Sequence, residues 1–434
     1  MKKSLSFVLS LAFCISIGAE ELKTLSLGEG IPGIDVPDLA GFGISPNGRY
    51  VCGMIDSGEG VFAMDLQTGI YKYEYTEDSE LHNIDNNGVG IGFLGDMGIT
   101  YSWNGEISEL ISEDENCVFI IGEDITNDGS VKVGKLVAAD YETFAAYSVN
   151  GADWKKLPEP PAEMTGAYGD GSMAIGISGD GKYIIGHAGN FGPIIVWTRN
   201  EDGSYEPDAL FARYCALDES ELDKKPLVDL MPQAISNNGK YILCSASKLI
   251  VEQDGNENMF TFPAVYNTDT RELKLYDEQQ KIDEKNVGLT GTAIADDGSF
   301  VGIIGFMMYR VDYGCFIMKA DETQAQLFLD VYPKYAEKFG ISDMTSRSIP
   351  TDISADGRYI LGYAYYLDES LNGAPEYACT YIIDNGESWT GVGAIESQSA
   401  SEEIFSLDGV RLSELKKGVN IIRMSDGSVR KVIR

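Results

Sequence analysis

Apolar and polar positions alternate over short runs along most of the chain, and the runs break at a recurring signal. In D-I-S-A-D-G-R-Y-I-L-G, Asp352 to Gly362, two apolar runs flank an Asp-Gly pair. That arrangement predicts a tight β-hairpin, because glycine takes a positive φ freely and aspartate tolerates one. The signal recurs as I-S-P-N-G-R-Y-V-C-G, I-D-N-N-G-V-G-I-G, I-T-N-D-G-S-V-K-V-G, I-S-G-D-G-K-Y-I-I-G, I-S-N-N-G-K-Y-I-L-C and I-A-D-D-G-S-F-V-G-I. Seven copies result, with turn glycines Gly48, Gly88, Gly129, Gly181, Gly239, Gly298 and Gly357, spaced by 40, 41, 52, 58, 59 and 59 residues. Strand-like units at a period of ~40–60 residues predict a β-propeller. Repeat 2 departs from the pattern with Val89 and Gly90 after its turn, and repeat 6 lacks the closing glycine position.

After each hairpin comes a second apolar run with its own turn, such as V-F-A-M-D-L-Q-T-G (Val61 to Gly69) or T-Y-I-I-D-N-G (Thr380 to Gly386). Most repeats then add a further β-rich run. Each unit so supplies four short strands, A to D, with tight turns at A–B and C–D. The expected fold is all-β: a seven-bladed β-propeller of four-stranded antiparallel blades, plus a small C-terminal β unit. Stacked blades bury the Ile, Val, Tyr and Trp that none could bury alone. One long β-sandwich would not repeat a turn in register seven times. Helix is expected only in long connections. Ala209 to Lys225 has Leu210, Phe211, Tyr214 and Cys215 at helical spacing, and Gln324 to Ile341 offers Pro333 as a start and Gly340 as a stop.

The ends of the chain read differently. Met1-Lys2-Lys3, the apolar run Leu5 to Ile17, and small residues at Ser16, Gly18 and Ala19 read as a secretory signal peptide over residues 1–19. The run is too short to span a bilayer, and bulky Phe13 before Cys14 disfavours lipidation. No other stretch is apolar enough to cross, so an exported chain without a transmembrane span is expected, in the periplasm, on the outer cell surface or extracellular. The propeller would occupy 20–396, a polar linker S-Q-S-A-S-E-E 397–403, and a basic β segment 404–434.

Charge narrows the partners. The chain carries 33 basic and 68 acidic residues, a net of −35. Loss of Lys2 and Lys3 makes this −37; residues 404–434 hold seven basic and three acidic residues, which leaves −41 on the body. Such a body repels nucleic acid and anionic lipid. It keeps an exported protein soluble, or binds cations. Six cysteines remain after processing, with no C-x-x-C spacing. Cys52 and Cys244 fall on the same strand of different repeats, and Cys315 and Cys379 both open another strand. They read as small buried free thiols, although export would permit disulfides.

The I-S-x-D-G-x-Y-I-x-G unit resembles the repeat of WD40-like and TolB-like propellers, and the aromatic strand after it resembles short repeats of exported bacterial proteins. The resemblance covers Phe42 to Trp389. It implies the propeller fold, and protein or ligand binding more often than catalysis. The tail resembles the C-terminal sorting segment of exported Bacteroidetes proteins, through the Asp408-Gly409 turn with Arg411, the Lys417-Gly418 turn and the basic last strand. A small β cap of two or three hairpins fits the same residues.

In a four-stranded antiparallel blade the A–B and C–D turns share one face, and the B–C loops and D–A crossovers share the other. Loops carry function where tight turns carry topology. His187, Phe191, Tyr309, Tyr313, Tyr365 and Tyr366 follow strand B of their repeats on the long-loop face, and they are the candidate ligand-binding residues. Tyrosine combines a large contact area with a polar tip. Packing between loops would explain the same aromatics, and a solvent-facing side chain would explain His187. His82 precedes strand A of repeat 2 and reads as structural. Two histidines support no metal site and no Ser/His/Asp set. The glycines from Gly166 to Gly176 lack the Lys-Ser/Thr that a phosphate loop needs, and no cofactor is implied. Acidic residues are so abundant that no carboxylate pair stands out. The expected function is a monomeric, non-enzymatic binding propeller that engages a protein or glycan through its long-loop face. A carbohydrate-active enzyme with paired carboxylates at the channel mouth is the alternative.

Overall fold

The computed structural model describes residues 21–25, 38–55, 58–159, 171–189, 192–208, 210–216, 221–251, 257–278, 280–282, 285–304, 314–339, 346–368, 374–386, 403–406, 411–412, 419–423 and 429–433. The expected signal peptide, Gly340 and linker residues 397–402 lie outside them. Antiparallel sheets at 39–75, 79–109, 117–156, 172–208, 227–275 and 289–327 each contain four strands in sequence order from A to D. The sheet at 346–384 supplies only three of its own, Ser346–Ile353, Tyr359–Asp368 and Ala374–Asp384. Its fourth is the N-terminal strand Glu21–Thr24, paired antiparallel from Glu21↔Asp384 to Thr24↔Tyr381. The protein is a seven-bladed β-propeller, closed by its first and last strands.

The closing strand is mostly exposed, but it has a grip on the core. Leu22 packs against the cluster between blades 6 and 7, Leu25 against that between blades 7 and 1, and the Leu25 N–H donates to the Thr380 carbonyl at 3.0 Å. A chain beginning at Asp38 should lose those hydrogen bonds and both leucines, about 3 kcal/mol or more. The urea-unfolding midpoint of that shortened chain measures it. An unchanged midpoint would mean the strand is dispensable.

The repeated motif has a local cause. In blades 1, 4, 5 and 7 the hydroxyls of Ser45, Ser178, Ser236 and Ser354, all buried, accept the N–H of the tyrosine five residues on at 2.9–3.0 Å. Each donates at 2.7–2.8 Å to the Asn or Asp two residues on, namely Asn47, Asp180, Asn238 and Asp356. The hairpin is therefore closed by its own side chains. Blades 2 and 6 make it one residue shorter: Asp85 and Ala295 bond the residue four on, where Ser45 bonds the residue five on. This corrects the reading of repeat 6, whose closing glycine is present one step early, as Gly302.

That closing glycine faces a β-bulge. Strand A of every blade contains an extra residue: Phe42, His82, Glu123, Ile175, Gln233, Thr292 and Thr351 in turn. A bulge pushes one carbonyl toward strand B. A Cβ at Gly53, Gly92, Gly134, Gly186 or Gly302 would overlap the carbonyl oxygen of Ala40, Glu80, Ile121, Met173 or Thr290. Cys244 takes this place in blade 5, opposite Pro232.

On the turn face the blades are tied in a closed ring. Backbone N–H groups of Asn86, Asn127, Gly179, Asp296 and Ala355 donate to the carbonyls of Asn127, Gly179, Asn237, Ala355 and Pro46. The N–H groups of Asn47 and Asn238 complete it through the side chains of Asn86 and Asp296, at 2.9 and 2.7 Å. Apolar clusters fill the interfaces between blades. Cys52, Cys215, Cys244 and Cys315 are buried among them, and all six described cysteines are free. Cys379 lies within its strand rather than opening it. Residues 390–434 are a separate compact unit. There Arg411–Leu412, Glu403–Ser406, Val419–Arg423 and Val429–Ile433 form, in that order, a four-stranded antiparallel sheet.

Candidate functional site

The two faces of the propeller differ as the strand order requires. On the long-loop face the B–C connection of blade 2 is only Gly95-Asp96, between Val89–Leu94 and Met97–Ser102. Blade 5 instead extends its B and C strands as Tyr241–Val251 and Glu257–Asn267, and blade 7 as Tyr359–Asp368 and Ala374–Asp384. Blade 1 uses six residues for each. At ~3.3 Å per residue, the blade 5 arm stands roughly 15 Å beyond the ordinary blade edge. Leu249 and Met259 pair across that arm and are 43% and 59% exposed.

Crossovers on this face carry the helices, as the spacing predicts. Phe211–Tyr214 lies between blades 4 and 5, with Phe211 buried. Phe328–Val331 and Pro333–Phe339 lie between blades 6 and 7. There Phe328, Tyr332 and Tyr335 stack edge-to-face, with Tyr335 against Tyr381 of blade 7. The crossovers are thus anchored in the grooves between blades.

His187 lies inside strand B of blade 4, Tyr183–Ala188, rather than after it. It is 7% exposed, with Nδ1 3.1 Å from the Gly192 carbonyl oxygen. Burial lowers its pKa, so the ring is neutral at pH 7 and packs in the wall. It is not solvent-facing. Tyr365 and Tyr366 lie on the blade 7 arm, opposite Ala378 and Tyr377 in the strand register. Phe191, Tyr309 and Tyr313 lie outside the described residues, as do the side chains of Tyr365 and Tyr366.

The central channel holds a second constellation. Between the bulges and the turn ring lies a cavity of about 240 Å³, lined by strand A of all seven blades. His82 belongs to strand A of blade 2, Ser79–Ile84, not to the segment before it. Its Nδ1 is 3.0 Å from Glu123 of blade 3 and its Nε2 is 3.5 Å from Glu80. Lys135 completes the cluster at 3.3 Å from Glu123. Burial pulls the His82 pKa down, but Glu123 and Glu80 outweigh it and hold the ring at about 10, a fixed cation at neutral pH. One residue on, Asp124 accepts from Asn83 at 2.6 Å and from the Ile177 N–H of blade 4 at 2.7 Å. Asp352 of blade 7 accepts the Ile44 N–H of blade 1 at 2.8 Å. Each of these carboxyls staples neighbouring blades.

No protein-family model matches the chain, and no curated protein sequence does. Among solved structures it is similar to TolB from Agrobacterium tumefaciens, at 13% identity over 64% of this chain and 87% of that one, with a TM-score of 0.37. A catalytically inactive virginiamycin B lyase from Staphylococcus aureus, solved with quinupristin, aligns at 10% identity over 84% and 99%, TM-score 0.45. The β-propeller domain of Swd1 from Myceliophteria thermophila gives the same figures. These likenesses concern the fold alone.

Chemically, the His82–Glu123–Lys135 group is a set of committed charges. A histidine held protonated cannot serve as a general base near neutrality, and both channel aspartates are occupied by backbone amides. The sequence reading missed Glu123, Asp124 and Asp352. A usable signal existed: every bulge residue stands six positions before its turn glycine.

Proposed function

We propose that this chain is an exported binding propeller that engages a protein or a glycan through its long-loop face, toward blades 4 to 7. The observation that supports it is the one-sided placement of the long connections. The extended arms of blades 5 and 7 and the packed crossover helices all leave that face, while the opposite face carries seven short A–B hairpins. Exposed Leu249 and Met259 give the blade 5 arm an apolar contact surface of the kind that binding faces use. His187, Phe191, Tyr309, Tyr313, Tyr365 and Tyr366 remain the proposed contact set, with His187 acting from within the wall. The 404–434 tail is proposed to serve sorting or attachment at the envelope. The enzymatic alternative draws on Asp124 and Asp352, and both already hold backbone amides.

The test is a glycan and protein array probed with the chain lacking residues 1–19. Changing Tyr365 and Tyr366 to alanine should weaken any confirmed partner by roughly 2 kcal/mol or more. Asn87→Ser on the turn face should leave it unchanged. Loss of binding on the turn-face change alone, in a folded protein, would place the site on the other side.

A further inference from the structure

Blade 5 makes its C–D turn with an arginine where a glycine would be expected. In blade 1 this turn runs from Asp65 to Ile70, with Gly69 at φ +69° and its N–H on the Asp65 carbonyl at 2.8 Å. Blade 5 repeats the geometry from Asn267 to Glu272, again with a 2.8 Å bond from the Arg271 N–H to the Asn267 carbonyl, but Arg271 holds φ +59°. Blades 2, 3 and 4 likewise place a positive-φ glycine in this turn: Gly105, Gly151 and Gly203. The left-handed backbone is strained for any side chain, and strain of this kind gathers at ligand contacts. Packing gives no return for it. Among the described residues the Arg271 guanidinium has no hydrogen bond and no ion pair.

What Arg271 does have is a cavity. A groove of about 660 Å³ between blades 5 and 6, on the turn side, is lined by Tyr214, Tyr241, Tyr276, Arg271 and Lys274, with Glu272 as the acid. The volume suits a small-molecule site. Its walls are fixed. The Tyr214 hydroxyl donates to the Arg271 carbonyl at 2.9 Å, and Lys274 donates to the Ala320 carbonyl of blade 6 at 2.8 Å. The Lys274 ammonium also lies 4.5 Å from the Tyr276 ring centroid. On a chain of net −35, this pocket holds more positive than negative side chains.

We propose that this groove binds a carboxylated saccharide. The exposed Arg271 guanidinium presents the planar fork that matches a carboxylate, and Lys274 adds a second positive charge. Half-buried Tyr214 and Tyr241 offer flat apolar area with polar tips, which suits a ring that is apolar on its face and hydroxylated at its edge, while buried Tyr276 packs on Phe300 and seats Lys274. The site centres on the C–D turn of blade 5, and Tyr214 reaches it from the crossover between blades 4 and 5.

Calorimetric titration of the chain without residues 1–19 tests this, with galacturonate oligomers, the neutral galactose oligomers, and a short oligoglutamate peptide as ligands. Saturable binding of the galacturonates is expected, weaker at high salt, and stronger than for the neutral sugars by about tenfold or more. Arg271→Gly should remove most of that preference while keeping or raising the unfolding midpoint, since glycine relaxes the turn. Arg271→Lys should retain part of it. The proposal is overturned if neutral sugars bind as well, if oligoglutamate is preferred, if no galacturonate binds, or if Arg271→Gly leaves affinity unchanged.

Discussion

Alanine at Gly186 is expected to cost about 4 kcal/mol or more, while alanine at Gly151 costs only about 1. Gly186 sits within strand B of blade 4 and Gly151 in the C–D turn of blade 3, and their surroundings differ. A Cβ at Gly186 would overlap the Met173 carbonyl oxygen and press on the Trp197 ring, which is fully buried. Neither can give way. The carbonyl is aimed by the Ile175 bulge, and Trp197 donates from Nε1 to the Pro158 carbonyl at 2.7 Å. Gly151 also has an unusual backbone, φ +74°, but nothing lies within 4 Å of its added Cβ, so only the conformational cost remains. Urea unfolding of the two variants measures the difference. Equal losses would mean that the closing glycine serves the turn and not the bulge.

The blade count and turn chemistry were legible because they are local. An Asx-Gly pair marks all seven hairpins, and in four of them a serine side chain closes the turn as well, so seven copies declare seven blades. Ring closure was not legible. The strand Glu21–Thr24 is short and largely exposed, with no apolar alternation, and its partner lies more than 350 residues away. Repeat 6 was misread for a local reason, a hairpin one residue shorter that moved Gly302 forward. The bulges were hidden because an inserted residue breaks the two-residue period it should be seen against. His82 and Glu123 consequently looked ordinary, although the bulge brings them together in the channel. His187 was placed at the right strand end but on the wrong side of its boundary, in the wall instead of the loop. The long-loop face itself followed from topology alone.

Stability is expected to rise as the pH falls from about 8 to about 5, against the usual course for a protein held by surface ion pairs. Burial pushes the carboxyls of Asp124 and Asp352 up to about 7, even against the N–H groups they accept. Unfolded, each would titrate near its ordinary value of ~4. Between those limits the folded chain holds more protons, so stability grows as the pH drops through the window and is lost as it climbs back. His82 adds in the same sense above it: with its folded pKa at about 10, its contribution is complete below its unfolded value of ~6.5 and fades as the pH rises toward 10. Asp65 and Asp384 work in the opposite direction. Burial opposes their ionisation, but Arg49 and Arg358 keep both below the ordinary range, so their contribution disappears only at lower pH, as each is protonated. The gain between pH 8 and 5 should be on the order of 2–4 kcal/mol per buried carboxyl. Thermal unfolding at a series of pH values reads it as a rising midpoint. Acidification also relieves the repulsion within a chain of net −35, which would raise the midpoint without either aspartate. Asp352→Asn separates the two causes, because it keeps the shape between blades 7 and 1 and removes one titrating group. The slope should flatten by roughly half of the carboxyl contribution. An unchanged slope would leave Asp352 a staple that does not titrate in this range.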